Sequence, residues 1–121
     1  MDADLFAGIP VSDYAAAVAW YEQLLGAAPA FLPNDIEAVW QIAGHAYMYI
    51  EVRPGHGGHA KHTIFVDDLD AVIEQTAARG LRPGDVVTLD SGVRKATYRD
   101  PDGNEISFGG APTQVPQAGH G

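Results

Sequence analysis

The chain of 121 residues contains one sequence pattern twice, about 55 residues apart. Each copy begins with an apolar segment, passes through acidic residues into an amphipathic stretch that ends at a glycine, and closes with short alternating segments. The apolar and acidic parts are residues 9–13 and 64–68, and the glycines are Gly26 and Gly80. This pattern predicts a strand, a capped helix and further strands. Because two half-size units cannot each bury a core, we expect them to pack together around a cleft.

The residue pattern within each copy predicts the positions of its strands and helix. The first helix is capped by Ser12 or Asp13, and the second by Asp67 or Asp68. Residues 28–35 and 53–60 are predicted as connections, and residues 100–103 as a turn. The predicted strands cover residues 5–11, 38–42, 47–52, 61–66, 86–89, 93–99 and 105–108.

Composition narrows the class of protein. We expect one domain over residues 1–110, with modules at about 4–53 and 60–110 and a flexible tail at 111–121. The chain has no cysteine, which excludes disulfides and thiolate chemistry, and its net charge of −9 disfavours nucleic acid as a partner. The acidity is compatible with a cationic ligand. No apolar run is long enough to span a membrane and the first residues lack a basic signal-peptide start, so we expect a cytoplasmic protein.

Three motifs occur in order on the repeated modules. They are residues 11–26, ending in Trp-Tyr-Glu-Gln-Leu-Leu-Gly; residues 65–70, Phe-Val-Asp-Asp-Leu-Asp; and residues 100–106, Asp-Pro-Asp-Gly-Asn-Glu-Ile. Together they resemble the vicinal oxygen chelate superfamily, also called the glyoxalase/bleomycin resistance/dioxygenase group. The resemblance implies an α+β fold in which two βαβββ modules form a U-shaped, eight-stranded mixed sheet around a ligand cleft. It also implies a homodimer.

The resemblance allows the family's metal-binding positions to be mapped onto this sequence. Metal-dependent members carry a His or Glu at four inward-facing positions, and the corresponding residues here are Phe6, Glu51, Lys61 and Ser107. Only Glu51 is a usual ligand of a divalent cation, and such a site needs several carboxylate or imidazole donors. We therefore predict that the chain has no metal site and no other cofactor, with a divalent metal as the alternative.

Histidines near the third of these positions keep the metal alternative open. A slip of one residue in strand register would turn His62 into the cleft. The same slip would turn Ile64 and Val66 away from the core, so we interpret His62 as a partly buried histidine. His56 and His59 lie on the glycine-rich connection and are interpreted as ordinary polar residues of a loop. Adventitious binding of nickel or zinc there stays open.

Alternation along the strands predicts which side chains line the cleft. The predicted wall is aromatic with a few polar groups, as is typical of small-molecule pockets, although the aromatic residues could instead only fill the cleft. Trp40 is ambiguous by one residue, and Arg94, Lys95 and Arg99 are interpreted as surface charges. The predicted ligand-binding residues are Phe6, Tyr47, Tyr49, Glu51, Lys61, Thr63, Phe65, Glu105 and Ser107.

These predictions favour a metal-free protein that binds a small, partly aromatic molecule, with a role in resistance or sequestration such as bleomycin resistance proteins have. Two alternatives stay open. One is a metal-dependent lyase, isomerase or dioxygenase that uses Glu51 and His62 as ligands. The other is a metal-free enzyme in which Glu51 and Lys61 are catalytic and act as an acid–base pair, although a structural salt bridge would give the same pairing.

Overall fold

The computed structural model of the chain describes residues 1–112. The predicted α+β fold of two modules is confirmed, while most of the predicted tail at 111–121 lies outside the described residues. Neither helix of the described part is long and apolar enough to cross a membrane. The N-terminal module consists of β1 (Leu5–Val11), α1 (Tyr14–Leu25), β2 (Phe31–Asn34), β3 (Glu37–Ala43) and β4 (Ala46–Val52). The C-terminal module consists of β5 (Lys61–Val66), α2 (Leu69–Ala78), β6 (Asp85–Thr88), β7 (Arg94–Arg99) and β8 (Glu105–Gly110).

Each module forms its own four-stranded mixed sheet. The strand orders are β1-β4-β3-β2 and β5-β8-β7-β6, in which the first pair is parallel and the other pairs are antiparallel. No ladder within residues 1–112 joins the two sheets. Instead, their edge strands β1 and β5 approach each other where His62 Nε2 lies 3.1 Å from the carbonyl oxygen of Gly8. Pro10 has no N–H to donate to a neighbouring strand, which fits the position of β1 at an edge.

Acidic residues cap both helices, and the structure identifies which residue of each pair acts. Asp13 Oδ1 accepts a hydrogen bond from the backbone N–H of Ala16, and Asp68 Oδ1 accepts one from that of Ala71, each at 3.0 Å. The first helix ends at Gly26, whose φ of 74° lies in the left-handed region that glycine adopts without strain. Each helix start is therefore set by a local side-chain contact.

Strand β2 lies within residues 28–35, which the sequence predicts as a connection, so this prediction is wrong. The segment Phe31–Asn34 contains Pro33, which cannot donate to a ladder, and all of its residues are exposed. Its pairing with β3 is irregular between Phe31 and Asn34. A short, exposed edge strand with a proline shows neither alternation nor an apolar run, which is why the pattern misses it.

One hydrophobic core unites the helix-facing sides of both sheets. Trp40, which the sequence leaves ambiguous, belongs to this core, and its indole N–H donates to the carbonyl oxygen of Ala27 at 2.9 Å. Since the core draws on both modules, each module buries its apolar surface fully only when packed against the other. The core residues are Ile9, Val11, Ala17, Tyr21, Leu24, Ala38, Trp40, Met48, Ile50, Leu69, Ala96, Tyr98, Ile106 and Phe108.

Asn104 forms a buried polar junction between the modules. Its side-chain N–H donates to the carbonyl oxygen of Pro10 in β1 at 2.8 Å. Its Oδ1 accepts hydrogen bonds from the backbone N–H groups of Gly58 and Ala60, both at 2.9 Å. The predicted turn at residues 100–103 therefore leads into a residue that ties β1, the connection and β8 together.

Asp100 and Tyr21 extend this junction to the first helix. The Tyr21 hydroxyl donates to Asp100 Oδ2 at 2.8 Å, and both residues are buried. Asp100 Oδ1 also accepts the backbone N–H groups of Asp102 and Asn104, each at 2.9 Å. Burial, together with the adjacent Asp100 carboxylate, raises the pKa of Tyr21 above its ordinary value of 10.0. The phenol therefore stays a hydrogen-bond donor across the physiological pH range.

Candidate functional site

Each sheet has one face that packs on the core and one that turns away from it, here called its open face. In β1, Ile9 and Val11 are buried, whereas Phe6 on the other face is 46% exposed. In β5, Ile64 packs against the core while Phe65 is 63% exposed. The predicted strand register is therefore confirmed. The N-terminal open face carries Phe6, Tyr47, Tyr49 and Glu51, and the C-terminal open face carries Lys61, Thr63, Phe65, Glu105 and Ser107.

Aromatic rings dominate the N-terminal open face. Phe6 and Tyr47 are partners in the β1–β4 ladder, and their rings stack with centroids 4.5 Å apart and planes 8° apart. Tyr49 lies over its ladder partner Gly8, where an added Cβ would lie 2.7 Å from the Tyr49 hydroxyl oxygen. Because the rings rest on each other and on the backbone, they present a preformed apolar surface.

Glu51 lies at the end of this face, in a pocket built from the N-terminal module. Its carboxylate is 3.9 Å from Nε of Arg53, which projects from the same side of the chain two residues later. No ion pair joins Glu51 to Lys61 within residues 1–112. The structure thus gives no geometric basis for the acid–base pair considered from the sequence. The pocket, of about 210 Å³, is lined by Gly8, Ile9, Pro10, Tyr49, Glu51 and Arg53.

A larger cavity, of about 300 Å³, lies at the seam between the modules and is here called the seam cavity. It brings Tyr47 of the N-terminal open face together with Thr63 of the C-terminal open face, and His62 also lines it. An apolar cavity with a few polar groups suits a small organic molecule. The other lining residues are Leu5, Ala7, Ile42, Ala43, Ala46, Met48 and Ile64.

The C-terminal open face is polar, and its centre is a row of hydroxyl groups. Thr63, Ser107 and Thr97 are ladder partners across β5, β8 and β7. Ser107 and Thr97 are buried, and their hydroxyl oxygens lie 2.8 Å apart. In the next row Phe65 lies over Gly109, where an added Cβ would lie 3.2 Å from the ring. The face therefore combines hydrogen-bonding groups with one exposed aromatic ring.

Two residues of this face are not among the predicted ligand-binding residues. Thr97 alternates with the core residues Ala96 and Tyr98, so it lies on the open face. Lys95 lies on the same face opposite Gly109 and is half-buried, which corrects its interpretation as a surface charge. In the sequence, Lys95 and Thr97 alternate with the apolar residues Ala96 and Tyr98, and this alternation could have predicted both as open-face residues.

The neighbouring arginines have other roles. Arg94 lies on the core side of β7, is only 22% exposed in its side chain and donates to Asp70 Oδ1 of α2 at 2.8 Å. This hydrogen bond lowers the pKa of the Asp70 carboxyl. Arg99 donates to Asp85 Oδ2 at 3.2 Å at the exposed end of the face. Only Arg99 thus fits the interpretation as a surface charge.

The mapped metal-binding positions do not form a donor set for a divalent cation. Phe6 has no donor atom, and Lys61 would bring a positive charge beside the metal. The Ser107 hydroxyl is engaged with Thr97, so Glu51 alone supplies a usual ligand. Within residues 1–112 no group of three His, Asp or Glu side chains is placed to hold a metal ion. Metal-free function stays a prediction.

None of the three histidines considered as metal ligands, His56, His59 and His62, occupies an open-face position of a strand. His62 alternates with the open-face residues of β5 and is paired in register with the core residue Ile106. Its half-buried ring contacts the carbonyl oxygen of Gly8, so its interpretation as a partly buried histidine is confirmed. His56 and His59 are exposed on the connection between the modules. The arrangement gives no support to a metal site that uses Glu51 and His62.

The fold and its faces define a class: proteins built from paired βαβββ modules whose sheets offer an open face to a ligand. The sequence profile of the Glyoxalase/Bleomycin resistance protein/Dioxygenase superfamily matches residues 5–108. The chain belongs to this superfamily, as the three motifs indicate.

Solved structures give the same assignment. The chain is 50% identical to a glyoxalase/bleomycin resistance protein from Catenulispora acidiphila, over 92% of this chain and 100% of that one, with a TM-score of 0.88. A bleomycin-binding protein complexed with bleomycin is 19% identical over 93% and 100%, with a TM-score of 0.74. A bleomycin resistance determinant encoded on the transposon Tn5 is 20% identical over 93% and 100%, with a TM-score of 0.76. The last two likenesses show the fold alone. No curated protein matches the chain significantly.

Proposed function

We propose that this chain is a metal-free protein that binds a small, partly aromatic molecule at the seam cavity and the adjoining open faces. The observation that carries the proposal is the position of Tyr47. This residue lines the seam cavity and stacks on Phe6. A flat ligand that extends from the cavity onto the N-terminal open face would therefore meet stacked rings that are already in place.

The donor chemistry of the mapped positions supports binding without a metal. A protein that only sequesters a compound needs complementary shape and polarity, and no reactive group. The pairing of Glu51 with Arg53 rather than Lys61 likewise gives no support to a proton-transfer enzyme. Solved structures described as bleomycin-binding and as a bleomycin resistance determinant have this fold, which makes resistance or sequestration in the cytoplasm the role we favour.

Exposed apolar residues on both open faces support a homodimer. Phe6 is 46% exposed, Phe65 63% and Phe31, which pairs with β3, 45%. Exposed large apolar side chains on one side of a protein can mark an interaction site when they form a patch. We propose that a second copy of the chain covers part of the open faces and completes the ligand cleft.

A neutral aromatic probe tests the binding proposal. Isotope-labelled protein would be titrated with 2-naphthalenemethanol in EDTA, with backbone amide shifts as the readout. We expect saturable shifts around Tyr47 and Thr63, and affinity reduced about tenfold in Tyr47→Ala, the effect of losing about 1.4 kcal/mol of ring contact. Tyr14→Ala is the matched control, because Tyr14 is a half-buried tyrosine on α1. Absence of binding, dependence on metal, or equal loss in both variants would contradict the proposal.

A further inference from the structure

We infer that the C-terminal open face is an oxyanion subsite, so that the ligand combines an aromatic body with a carboxylate or phosphate group. This inference rests on the proposed function, since it names the chemistry of the molecule bound there. Its basis is the row formed by Thr63, Ser107 and Thr97, together with Lys95.

In the hydroxyl row, one O–H group of the Ser107–Thr97 pair has no hydrogen-bond acceptor within the described part of the chain. Ser107 and Thr97 bond to each other at 2.8 Å, and one O–H group satisfies that contact. Because neither hydroxyl has another hydrogen-bond partner among residues 1–112, the other O–H has no acceptor there. Both residues are more than nine-tenths buried, so the spare proton is held at a largely dry site. An anionic oxygen accepts such a proton more strongly than a neutral one does.

Lys95 supplies the positive charge. It lies on the same face two residues from Thr97 and opposite Gly109, over which the Phe65 ring packs. Among the described residues it forms no ion pair, unlike Arg99, which pairs with Asp85. A half-buried lysine on the same face as the spare hydroxyl donor matches an oxyanion in charge and in hydrogen bonding.

The subsite and the seam cavity have one residue in common. Thr63 belongs to the hydroxyl row and also lines that cavity. A ligand whose apolar part contacts Tyr47 would thus place its other end on the hydroxyl row. The N-terminal open face has the opposite character, since it carries aromatic rings and Glu51. The two faces therefore suit the two ends of one amphipathic anion.

The net charge of −9 does not contradict this inference. At physiological ionic strength distant charges are screened beyond about 8 Å, so the local groups decide what binds. Whole-chain acidity alone would instead favour a cationic ligand. The oxyanion subsite predicts that an anionic probe binds more tightly than a cationic probe of the same shape. Whole-chain acidity predicts the reverse order.

A matched probe series decides between them. The titrants would be 2-naphthoate, 2-naphthalenemethanol and 2-naphthylmethylammonium, read out by backbone amide shifts. We expect 2-naphthoate to bind about tenfold more tightly than the neutral probe, as a charge-assisted hydrogen bond allows, and to shift Thr97 and Ser107. In Lys95→Gln this preference disappears, because the affinity for 2-naphthoate falls to that for the neutral probe, whereas Arg82→Gln keeps the preference. Arg82→Gln is the control, because Arg82 is an exposed cation outside both sheets.

The outcomes separate the two proposals. Equal affinity for all three probes, tighter binding of the ammonium probe, or a preference that survives Lys95→Gln overturns the oxyanion subsite and leaves the binding function standing. If no naphthalene probe binds, the proposed function fails. Inorganic phosphate, titrated at constant ionic strength, then decides the subsite alone. Saturable shifts at Thr97 and Ser107 that are lost in Lys95→Gln support it, and their absence overturns it.

Discussion

Tyr21 is a buried phenol whose hydroxyl donates to the buried Asp100 carboxylate at 2.8 Å. Because burial and Asp100 raise its pKa, the folded chain keeps this proton above pH 10.0, where an unfolded chain releases it. The folded state then binds more protons than the unfolded state, so the free energy of unfolding falls as the pH rises above 10.0.

Tyr21→Phe tests this coupling. At pH 7 we expect a loss of about 1–2 kcal/mol in the free energy of unfolding, since Asp100 loses a buried donor. Above pH 10 the gap between wild type and variant should shrink by about 1.4 kcal/mol per pH unit, because only the wild type carries the phenol. Urea unfolding between pH 7 and 11 measures both effects. A gap that stays constant over this range would contradict the account.

Single residues show where prediction from sequence ends. Alternation correctly places Phe6 and Phe65 on the open faces, because a strand with one buried face has only one register. The partners of Glu51 and Ser107 are not predictable in this way, because they depend on which rotamers and neighbouring strands meet. The alternation pattern does not predict the role of Asn104 either. The position of Asn104 in a turn motif gives no sign that its side chain donates to Pro10 of the other module.

At the scale of elements, local signals account for the helices and fail for one strand. Asp13 and Asp68 cap their helices because a short acceptor side chain there satisfies a free backbone N–H group. The residue types that can do so are recognisable in the sequence. Strand β2 has no comparable local cause. Its conformation depends on the neighbouring β3, and Pro33 argues against a strand.

The ladder of β1 with β4 depends on Gly8, because the Tyr49 ring lies directly over it. A Cβ at this position would lie 2.7 Å from the Tyr49 hydroxyl oxygen, so Gly8→Ala should displace the ring. We expect a loss of about 1–3 kcal/mol in the free energy of unfolding, typical of overpacking, with shifted Tyr49 ring resonances.

Gly44→Ala is the matched control, since nothing lies within 4 Å of a Cβ there. Its free energy of unfolding should stay within about 0.5 kcal/mol of wild type. Denaturant unfolding and aromatic NMR measure both variants. Equal stability of the two would show that Tyr49 does not rest on β1 as described.

At the scale of the molecule, the repeat explains most of the architecture. Two similar modules must share a core, and they do so through their helix-facing sides. The resemblance implies one eight-stranded sheet, whereas the described residues form two four-stranded sheets that meet at β1 and β5. Patterning along the chain does not determine how two edge strands meet, because that contact involves residues far apart in sequence.

The proposed homodimer predicts a measurable change in mass. Light scattering after size exclusion should give twice the mass of one chain, because a second copy would bury the exposed phenylalanines of the open faces. Phe65→Glu should shift the protein to the mass of a single chain. Val86→Glu is the control, because Val86 is 50% exposed but is paired with the core residue Ala96. A wild-type protein of single-chain mass would contradict the dimer.

We propose that this chain keeps the superfamily's fold without metal chemistry. The most direct test is elemental analysis by plasma mass spectrometry of tag-free protein purified without chelator, alongside Glu51→Ala. The account predicts much less than one metal ion per chain, with no difference between the two proteins, because Glu51 is the sole usual ligand among the mapped positions. One metal ion per chain that is lost in Glu51→Ala would contradict it.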